Sequence, residues 1–424
     1  MKGLIHKYRH LLENFFSLSI LNGLNVLLPL VTLPYIIGVV GMQGYGAYSY
    51  IYVIIQYIIL FCTYGFNFSA TKMISQCRDD KAAVSRIYNA VTASKALIAV
   101  AIIVAMLPFS RWLLKDTCGA LMLLYGLGMV VGDILTPVWL FQGMEKMKYM
   151  TIVNASSKIL FTLLIFVLVR RSEDYELLIL FNSFGYILAA ILSLLLVRRQ
   201  FGLRLGMPRM TDVKEQLKEG SAVFGSTFGM NLYRNANVFI LKQFAGDEVV
   251  GVYSAVEKVI KGFQSLISPA AQALFPHLSL RFKGQSVEYN VRLLRRIAFP
   301  FTAFVLAVSV CVYFFAPLIS SILCGEEHEA CVPLMRIMVP VILFGEINYL
   351  TGIVGLINMN GQKQFFASVL VTGVFSVIFV LMTAGRYGAG AAAWAMSLSE
   401  VLLFILCLIS IRLIRNRSMR NTSV

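Results

Sequence analysis

Charged residues are scarce in this chain of 424 residues. Asp, Glu, Lys and Arg together make up 14% of it, whereas hydrophobic residues make up 58% and the mean hydropathy is +0.77. A soluble globular domain carries about 25% charged residues. The deficit excludes a soluble enzyme or a soluble binding module and indicates a polytopic membrane protein.

Long polar segments are also missing, because nearly all of the sequence falls into apolar runs. A bilayer-crossing helix needs about 20 such residues. The runs predict twelve spans: 15–40, 46–68, 88–109, 119–141, 151–169, 176–197, 221–243, 251–275, 297–323, 334–358, 365–384 and 390–411. Because lipid cannot pair with backbone amides, every span must be a helix. The expected fold is therefore an all-α integral membrane protein without a catalytic domain outside the bilayer.

The motifs that bind nucleotides or metals are absent from the sequence. There is no G-x-x-x-x-G-K-[ST], no H-E-x-x-H and no paired C-x-x-C. We therefore expect no cofactor, no metal and no ATP site, so that a proton gradient, a sodium gradient or the membrane potential would supply energy. Cys324 and Cys331 share one predicted outer loop and could form a disulfide. The sequence gives less support for a metal site at His328, which lies between them.

The net charge of +16 is distributed unevenly along the chain. With the N-terminus inside, the predicted cytoplasmic segments hold 25 Lys and Arg and the opposite side holds 5. This is the positive-inside pattern, and it predicts that both termini are cytoplasmic. The basic character thus reflects topology and gives no reason to expect nucleic acid as a partner.

Two sequence echoes indicate an internal duplication. Gly46-Ala-Tyr-Ser49 returns as Gly251-Val-Tyr-Ser254, and Trp139–Lys146 loosely matches Leu356–Lys363, each at an offset close to half the length of the chain. Six spans per copy keep both copies in one orientation, as in transporters with parallel repeats. We expect two pseudo-symmetric six-helix lobes around a central cavity: residues 1–200, a cytoplasmic linker at 201–218, and residues 219–424.

Nine charged residues lie inside the predicted spans and away from their ends, where a charge costs about 2.5–3.5 kcal/mol and usually marks a polar path or site. The cations are Lys95, Lys158, Arg234, Lys258 and Lys261, and the anions are Asp133, Glu257, Glu346 and Glu400. One interpretation is structural: Asp133 would pair with Lys95 or Lys158, and Glu257 with Lys261 at i+4. The excess of cations instead favours a water-filled cavity that binds an anion.

The hairpin of residues 221–277 holds most of these cations and is the predicted centre of the anion site. Arg234 shares a helical face with Thr227 and Asn231, and its planar fork suits phosphate. We predict that Arg234, Asn231, Lys258 and Lys261 bind substrate, with Lys95 and Lys158 contributing from the first lobe. The four acidic residues remain candidates for either ion coupling or ion pairs.

Three motifs resemble one known family. Leu33-Pro-Tyr-Ile-Ile-Gly38, Gly44-Tyr-Gly-Ala-Tyr-Ser49 and the run from Trp139 to Tyr149 are similar to those of polysaccharide-biosynthesis flippases of the MOP superfamily, O-antigen (Wzx-type) flippases above all. The resemblance implies that an undecaprenyl-pyrophosphate-linked oligosaccharide crosses the bacterial inner membrane by alternating access. It also implies a cationic central cavity, and a polysaccharide polymerase and a chain-length regulator as partners.

Two other functions remain open on the sequence. A cation-coupled multidrug extruder of the same superfamily would bind its substrate through acidic residues such as Asp133 and Glu346. A membrane glycan polymerase or transferase would need catalytic acids in an outer loop, where Glu326, Glu327 and Glu329 lie.

Overall fold

The computed structural model describes residues 2–109, 117–282, 285–325 and 328–422, except the side chains at 2–22, 24–26, 117–118, 222–223, 225–235, 273–277, 279–280, 417–418 and 420–422. These ranges contain helices and no strand, so the all-α class is confirmed. The α-helices are α1 Lys2–Thr63, α2 Phe66–Gln76, α3 Lys81–Met106, α4 Thr117–Leu135, α5 Val138–Gly143, α6 Met147–Leu168, α7 Tyr175–Leu196, α8 Met210–Phe282, α9 Val287–Cys324, α10 His328–Asn348, α11 Gln362–Tyr387 and α12 Ala389–Thr422.

The chain divides into two units, Met1–Phe228 and Gly229–Val424. The predicted linker 201–218 is irregular only at 202–209, because α8 already begins at Met210. Val213 and Gln216, which lie on one side of α8, are 3% and 2% exposed. Burial of this helical stripe holds the end of the predicted linker in regular structure.

Helices α1 and α8 each contain two predicted spans. A non-helical glycine interrupts each one, Gly41 at φ 69°, ψ 173° and Gly246 at φ 84°, ψ −179°. Essentially only glycine adopts this backbone region. The two glycines correspond at the offset of the first sequence echo, since each stands five positions before the echoed Gly46 or Gly251. Nine helical stretches of the described chain are long and apolar enough to cross a bilayer, and the count of twelve spans stays a prediction.

A comparison of two alanine variants isolates the backbone requirement at Gly41. A Cβ added at Gly38 or at Gly41 would have no neighbour within 4 Å, and only Gly41 has a positive φ. We expect Gly41→Ala to lower the free energy of unfolding by about 1–3 kcal/mol. Gly38→Ala should be neutral or slightly stabilising, because alanine is the better helix former. Equal thermal midpoints for the two purified variants would show that the positive φ at position 41 does not require glycine.

A second pair of matching turns recurs near the second sequence echo. The Lys146 N–H donates to the Phe141 carbonyl at 2.9 Å, and the Gly361 N–H donates to the Leu356 carbonyl at 2.7 Å. This six-residue closure is the Schellman pattern of helix ends. The residue before each donor has positive φ, Glu145 in the first turn and Asn360 in the second. The geometry thus matches Lys146 with Gly361, slightly before the residue that the sequence echo suggested, while the symmetry of whole lobes stays a prediction.

Helices α4 and α7 of the first unit pack at very short range. A Cβ built on Gly132 would lie 2.6 Å from the Tyr186 backbone carbonyl, and one on Gly128 would lie 2.8 Å from Ser183 Cβ. Glycine at these positions lets the two helices approach, as in other membrane helix pairs. The contact places Tyr186 beside the polar residues at the end of α4.

The predicted outer loop between α9 and α10 does not join Cys324 to Cys331. The two cysteines are both buried, and neither is part of a disulfide. Cys324 ends α9 and Cys331 lies in the first turn of α10, so each sulfur packs within a helix instead of in an exposed loop.

Candidate functional site

The second unit contains a polar cavity of about 560 Å³. Helices α8, α10, α11 and α12 supply its wall, together with the π-helical segment Tyr349–Leu356 that continues α10. Its polar lining residues are Asn237, Lys261, Gln264, Ser265, Ser268, Glu346, Asn348, Tyr349, Ser376, Ser399 and Glu400. The cavity therefore brings together three of the sequence-predicted residues: Lys261, Glu346 and Glu400.

Helix α8 carries a stripe of polar side chains, of which Lys261, Gln264 and Ser268 line this cavity. Glu257, Lys261, Gln264 and Ser268 follow the i, i+4, i+7, i+11 spacing of one helical face. Lys261 Nζ lies 2.9 Å from Glu257 Oε1, so this lysine is held by its neighbour on the same helix. The Gln264 amide donates to the Val341 carbonyl at 2.8 Å and thereby ties α8 to α10.

Glu346 and Asn348 direct acceptor atoms into the cavity. Ser268 Oγ donates to Glu346 Oε1 at 2.8 Å, while Glu346 Oε2 is buried with no hydrogen-bond partner among the described residues. Asn348 Nδ2 donates to Glu400 Oε2 at 2.8 Å and to the Glu400 carbonyl at 2.9 Å. In the same described part of the chain, Asn348 Oδ1, Asn237 Oδ1 and Ser399 Oγ are buried and unpartnered. A buried acceptor without a donor costs about 1–3 kcal/mol, so this group suits a proton or a cation.

The described lining of this cavity carries two carboxylates and one paired ammonium group. It does not display the cationic character predicted for the centre of the protein. That prediction depends on Arg234, Lys258 and Lys261, and the side chain of Arg234, like that of the predicted substrate ligand Asn231, lies outside the described residues. Lys258 lies partly buried on α8, directly after Glu257.

In the first unit, Lys95 and Asp133 form an ion pair beside the break between α4 and α5. Pro137 has no N–H, so the Asp133 carbonyl lacks its usual i+4 donor. Lys95 Nζ supplies that donor at 2.9 Å and also contacts Asp133 Oδ2 at 2.7 Å. Thr136 Oγ donates to the Gly132 carbonyl at 2.8 Å and satisfies the next free acceptor. The geometry gives Lys95 and Asp133 a structural role, while Lys158 lies partly buried on α6.

A stack of tyrosines on α1 lies inside the first unit. The ring centroids of Tyr45 and Tyr48 are 6.0 Å apart, and those of Tyr48 and Tyr52 are 5.8 Å apart. Asn182 Nδ2 donates to the Tyr48 hydroxyl at 2.9 Å. Tyr45 and Tyr48 are buried, so these hydroxyls belong to the polar interior of the unit.

Sequence reasoning missed Gln264, Ser268 and Asn348. The first two could have been found, because they extend the Glu257–Lys261 stripe by two further turns of α8. Asn348 follows Glu346 at i+2, a spacing that does not place side chains on one helical face. Both nevertheless line the cavity, at the C-terminal end of α10 and directly before the π-helical segment Tyr349–Leu356.

Comparison with known proteins agrees with this architecture. The family model described as "Polysaccharide biosynthesis protein" matches residues 11–281. An Escherichia coli K12 protein named for O-antigen transport is 26% identical over 94% of this chain and 96% of its own length. A Shigella dysenteriae protein with the same name is 25% identical over 94% of this chain and all of its own.

Solved structures of two transporter types share the fold. An inward closed structure of the lipid II flippase MurJ superposes with a TM-score of 0.76 at 11% identity, covering 96% of this chain and 91% of its own. An inward-facing MATE multidrug transporter of the MOP superfamily gives 0.72 at 15%, covering 97% and 99%. These likenesses confirm the MOP-type membrane fold. Since the family model spans well over half of the sequence, the chain belongs to the polysaccharide biosynthesis protein family.

Proposed function

We propose that this protein is a flippase for a lipid-linked oligosaccharide. It would move an undecaprenyl-pyrophosphate-linked repeat unit from the cytoplasmic to the periplasmic leaflet of a bacterial inner membrane, where a polymerase and a chain-length regulator would use it. The observation that carries the proposal is the near full-length match to relatives named for O-antigen transport, within a polysaccharide biosynthesis family. The transporters among its relatives also agree with the expectation that it is not an enzyme.

The pyrophosphate would be held by the cations of the second unit. Arg234 is the first candidate, because a guanidinium grips phosphate oxygens with two parallel N–H donors. Lys258 would add charge from α8, whereas Lys261 is paired with Glu257 and contributes less. Lys95 is committed to Asp133, so the first unit would contribute mainly through Lys158.

The energy source would be an ion gradient or the membrane potential. An anion that moves from the negative to the positive side gains about 2.3 kcal/mol per charge per 100 mV. The cavity lined by Glu346 and Glu400 adds a site for a coupling ion, because its oxygen atoms without a hydrogen-bond donor could coordinate Na⁺ or accept a proton. Glu257 and Asp133 already hold lysines and are weaker candidates for coupling.

A complementation assay tests the flippase proposal at Arg234. In a strain that lacks its own O-antigen flippase, Arg234→Ala should abolish surface polysaccharide and accumulate the lipid-linked unit. Arg234→Lys should retain part of the export, because it keeps the charge and loses the fork. Arg386→Ala, an exposed arginine of α11, is the matched control and should export normally. Export at the wild-type level by a stably inserted Arg234→Ala variant would contradict the proposed role.

A multidrug extruder is the second candidate, and the acidic cavity of the second unit favours it. A cationic drug would neutralise Glu346 and Glu400 directly. Drug sensitivity of the deletion strain separates the two functions: extrusion predicts sensitivity that the wild-type gene reverses, and flipping predicts unchanged sensitivity with lost polysaccharide.

A further inference from the structure

The N-terminal part of α9 carries an arginine face outside the predicted hydrocarbon region. The helix begins at Val287, well before the predicted span that starts at 297. Val291 and Leu294 are buried in the core of the second unit, and the opposite side exposes Arg292, Arg295 and Arg296. The i, i+3, i+4 spacing places the three guanidinium groups on one face. No described carboxylate forms an ion pair with any of them.

The same helical face continues along α9 as an apolar stripe. Phe299 is 80% exposed, and Leu306, Val310 and Phe314 follow it at helical spacing with 47%, 45% and 71% exposure. From Arg296 to Phe314 the helix rises about 27 Å, close to the thickness of a bilayer's hydrocarbon core. The stripe is therefore a lipid-facing surface, and the arginines lie at headgroup level directly beyond its end.

We propose that this surface, Arg292, Arg295 and Arg296 with the stripe that starts at Phe299, is a binding site for an anionic phospholipid of the cytoplasmic leaflet. Charge complementarity identifies the occupant. The three cations, which have no described ion pair, would bind the lipid phosphate, and the exposed apolar stripe next to them would contact the acyl chains of the same lipid. Clustered basic residues immediately cytoplasmic of a membrane helix attract anionic lipids in this way. Arginine adds bidentate hydrogen bonds to the phosphate oxygens, which a diffuse surface charge would not provide.

The site has a structural consequence for the second unit. Leu294 packs in the same cluster as Val354 and Leu356, which belong to the π-helical segment beside the cavity. A lipid held on the outer face of this helix would therefore hold the α9 end against the π-helical segment that directly follows Glu346 and Asn348 in the chain.

Native mass spectrometry of the full chain tests the site with phosphatidylglycerol as the probe. The wild type should retain phosphatidylglycerol in preference to phosphatidylcholine. The triple variant Arg292→Gln, Arg295→Gln, Arg296→Gln should weaken phosphatidylglycerol binding by about tenfold or more, because each cation near an anionic surface contributes separately. The matched control Arg198→Gln, Arg199→Gln, Arg204→Gln removes the same charge from exposed positions of the first unit and should keep the bound lipid.

Three results would overturn the proposal. If both triple variants lose phosphatidylglycerol binding equally, the effect depends on net charge and not on the α9 surface. If the α9 variant retains all of its phosphatidylglycerol, the lipid binds elsewhere. Displacement of bound phosphatidylglycerol by one equivalent of a polyprenyl pyrophosphate would assign the surface to the transported lipid instead. Both triple variants change exposed side chains, and a monodisperse profile with an unchanged thermal midpoint verifies that each one is folded.

Discussion

Replacement of Lys95 by methionine is expected to lower the free energy of unfolding by about 3–5 kcal/mol, the usual result of removing one partner from a buried ion pair. Lys95 is 4% exposed, and its ammonium group serves both the Asp133 carboxylate and the Asp133 carbonyl. Methionine keeps an unbranched side chain of similar length and removes every donor. Thermal unfolding of the purified, detergent-solubilised protein measures the loss.

Two further variants make this prediction specific. Lys72→Met makes the same chemical change at an exposed position of α2 and should have little effect. Adding Pro137→Ala to Lys95→Met should restore part of the stability, because alanine returns the i+4 N–H donor, whereas the Asp133 carbonyl now accepts only a longer bond from the Thr136 N–H at 3.3 Å. If Lys95→Met proves as stable as Lys72→Met, the ion pair does not stabilise the break between α4 and α5.

The double replacement Glu346→Gln, Glu400→Gln is expected to eliminate ion binding by the second unit while the protein stays folded. Each change removes one negative charge from the cavity and keeps the shape of the side chain. A unit charge about 4 Å from a bound cation contributes about 4 kcal/mol at an effective dielectric of 20. Sodium-dependent thermal stabilisation and titration calorimetry measure the loss of sodium binding. Proton uptake measured during transport tests whether the coupling ion is a proton instead.

Glu248→Gln supplies the control, because Glu248 is a carboxylate of α8 outside the cavity. It should leave ion binding unchanged. Wild-type ion binding and ion-driven export by the double variant would exclude this cavity as the coupling site. Loss of ion binding with normal export would leave the membrane potential as the energy source.

Hydropathy and spacing predicted the class of fold and the position of most helices. The echo around Ser49 and Ser254 also led to the right offset for Gly41 and Gly246. Spacing could not predict that α8 starts at Met210, because the polar composition of 210–220 resembles a linker until its buried stripe is known. The π-helical segment Tyr349–Leu356 was equally hidden, since its sequence is an ordinary apolar run.

Some contacts of the candidate site residues could be predicted from the sequence, and others could not. The Glu257–Lys261 contact follows from the i, i+4 spacing on one helix, which the sequence shows directly. The partner of Asp133 was ambiguous between Lys95 and Lys158, because the choice depends on where α3 and α6 pass α4. The sequence indicated only the acceptor: because Pro137 has no N–H, the Asp133 carbonyl needs another donor.

The two Schellman turns reveal a difference in length between the units. In the first unit the chain runs from Asp80, which caps α3, to the turn at Lys146; in the second it runs from Ser286, which caps α9, to the turn at Gly361. The second path is longer by nine positions, and α9 has 38 residues where α3 has 26. Such an insertion makes about two and a half helical turns, enough to reverse the direction of a side chain.

The two units also tie their fourth helix in different ways. Asn348 precedes Gly361 by the same interval as Asp133 precedes Lys146, so the two residues occupy equivalent positions. In the first unit the third helix supplies Lys95 to a carboxylate; in the second, α12 supplies Glu400 to an amide. The acidic cavity of the second unit thus occupies the place that a salt bridge fills in the first.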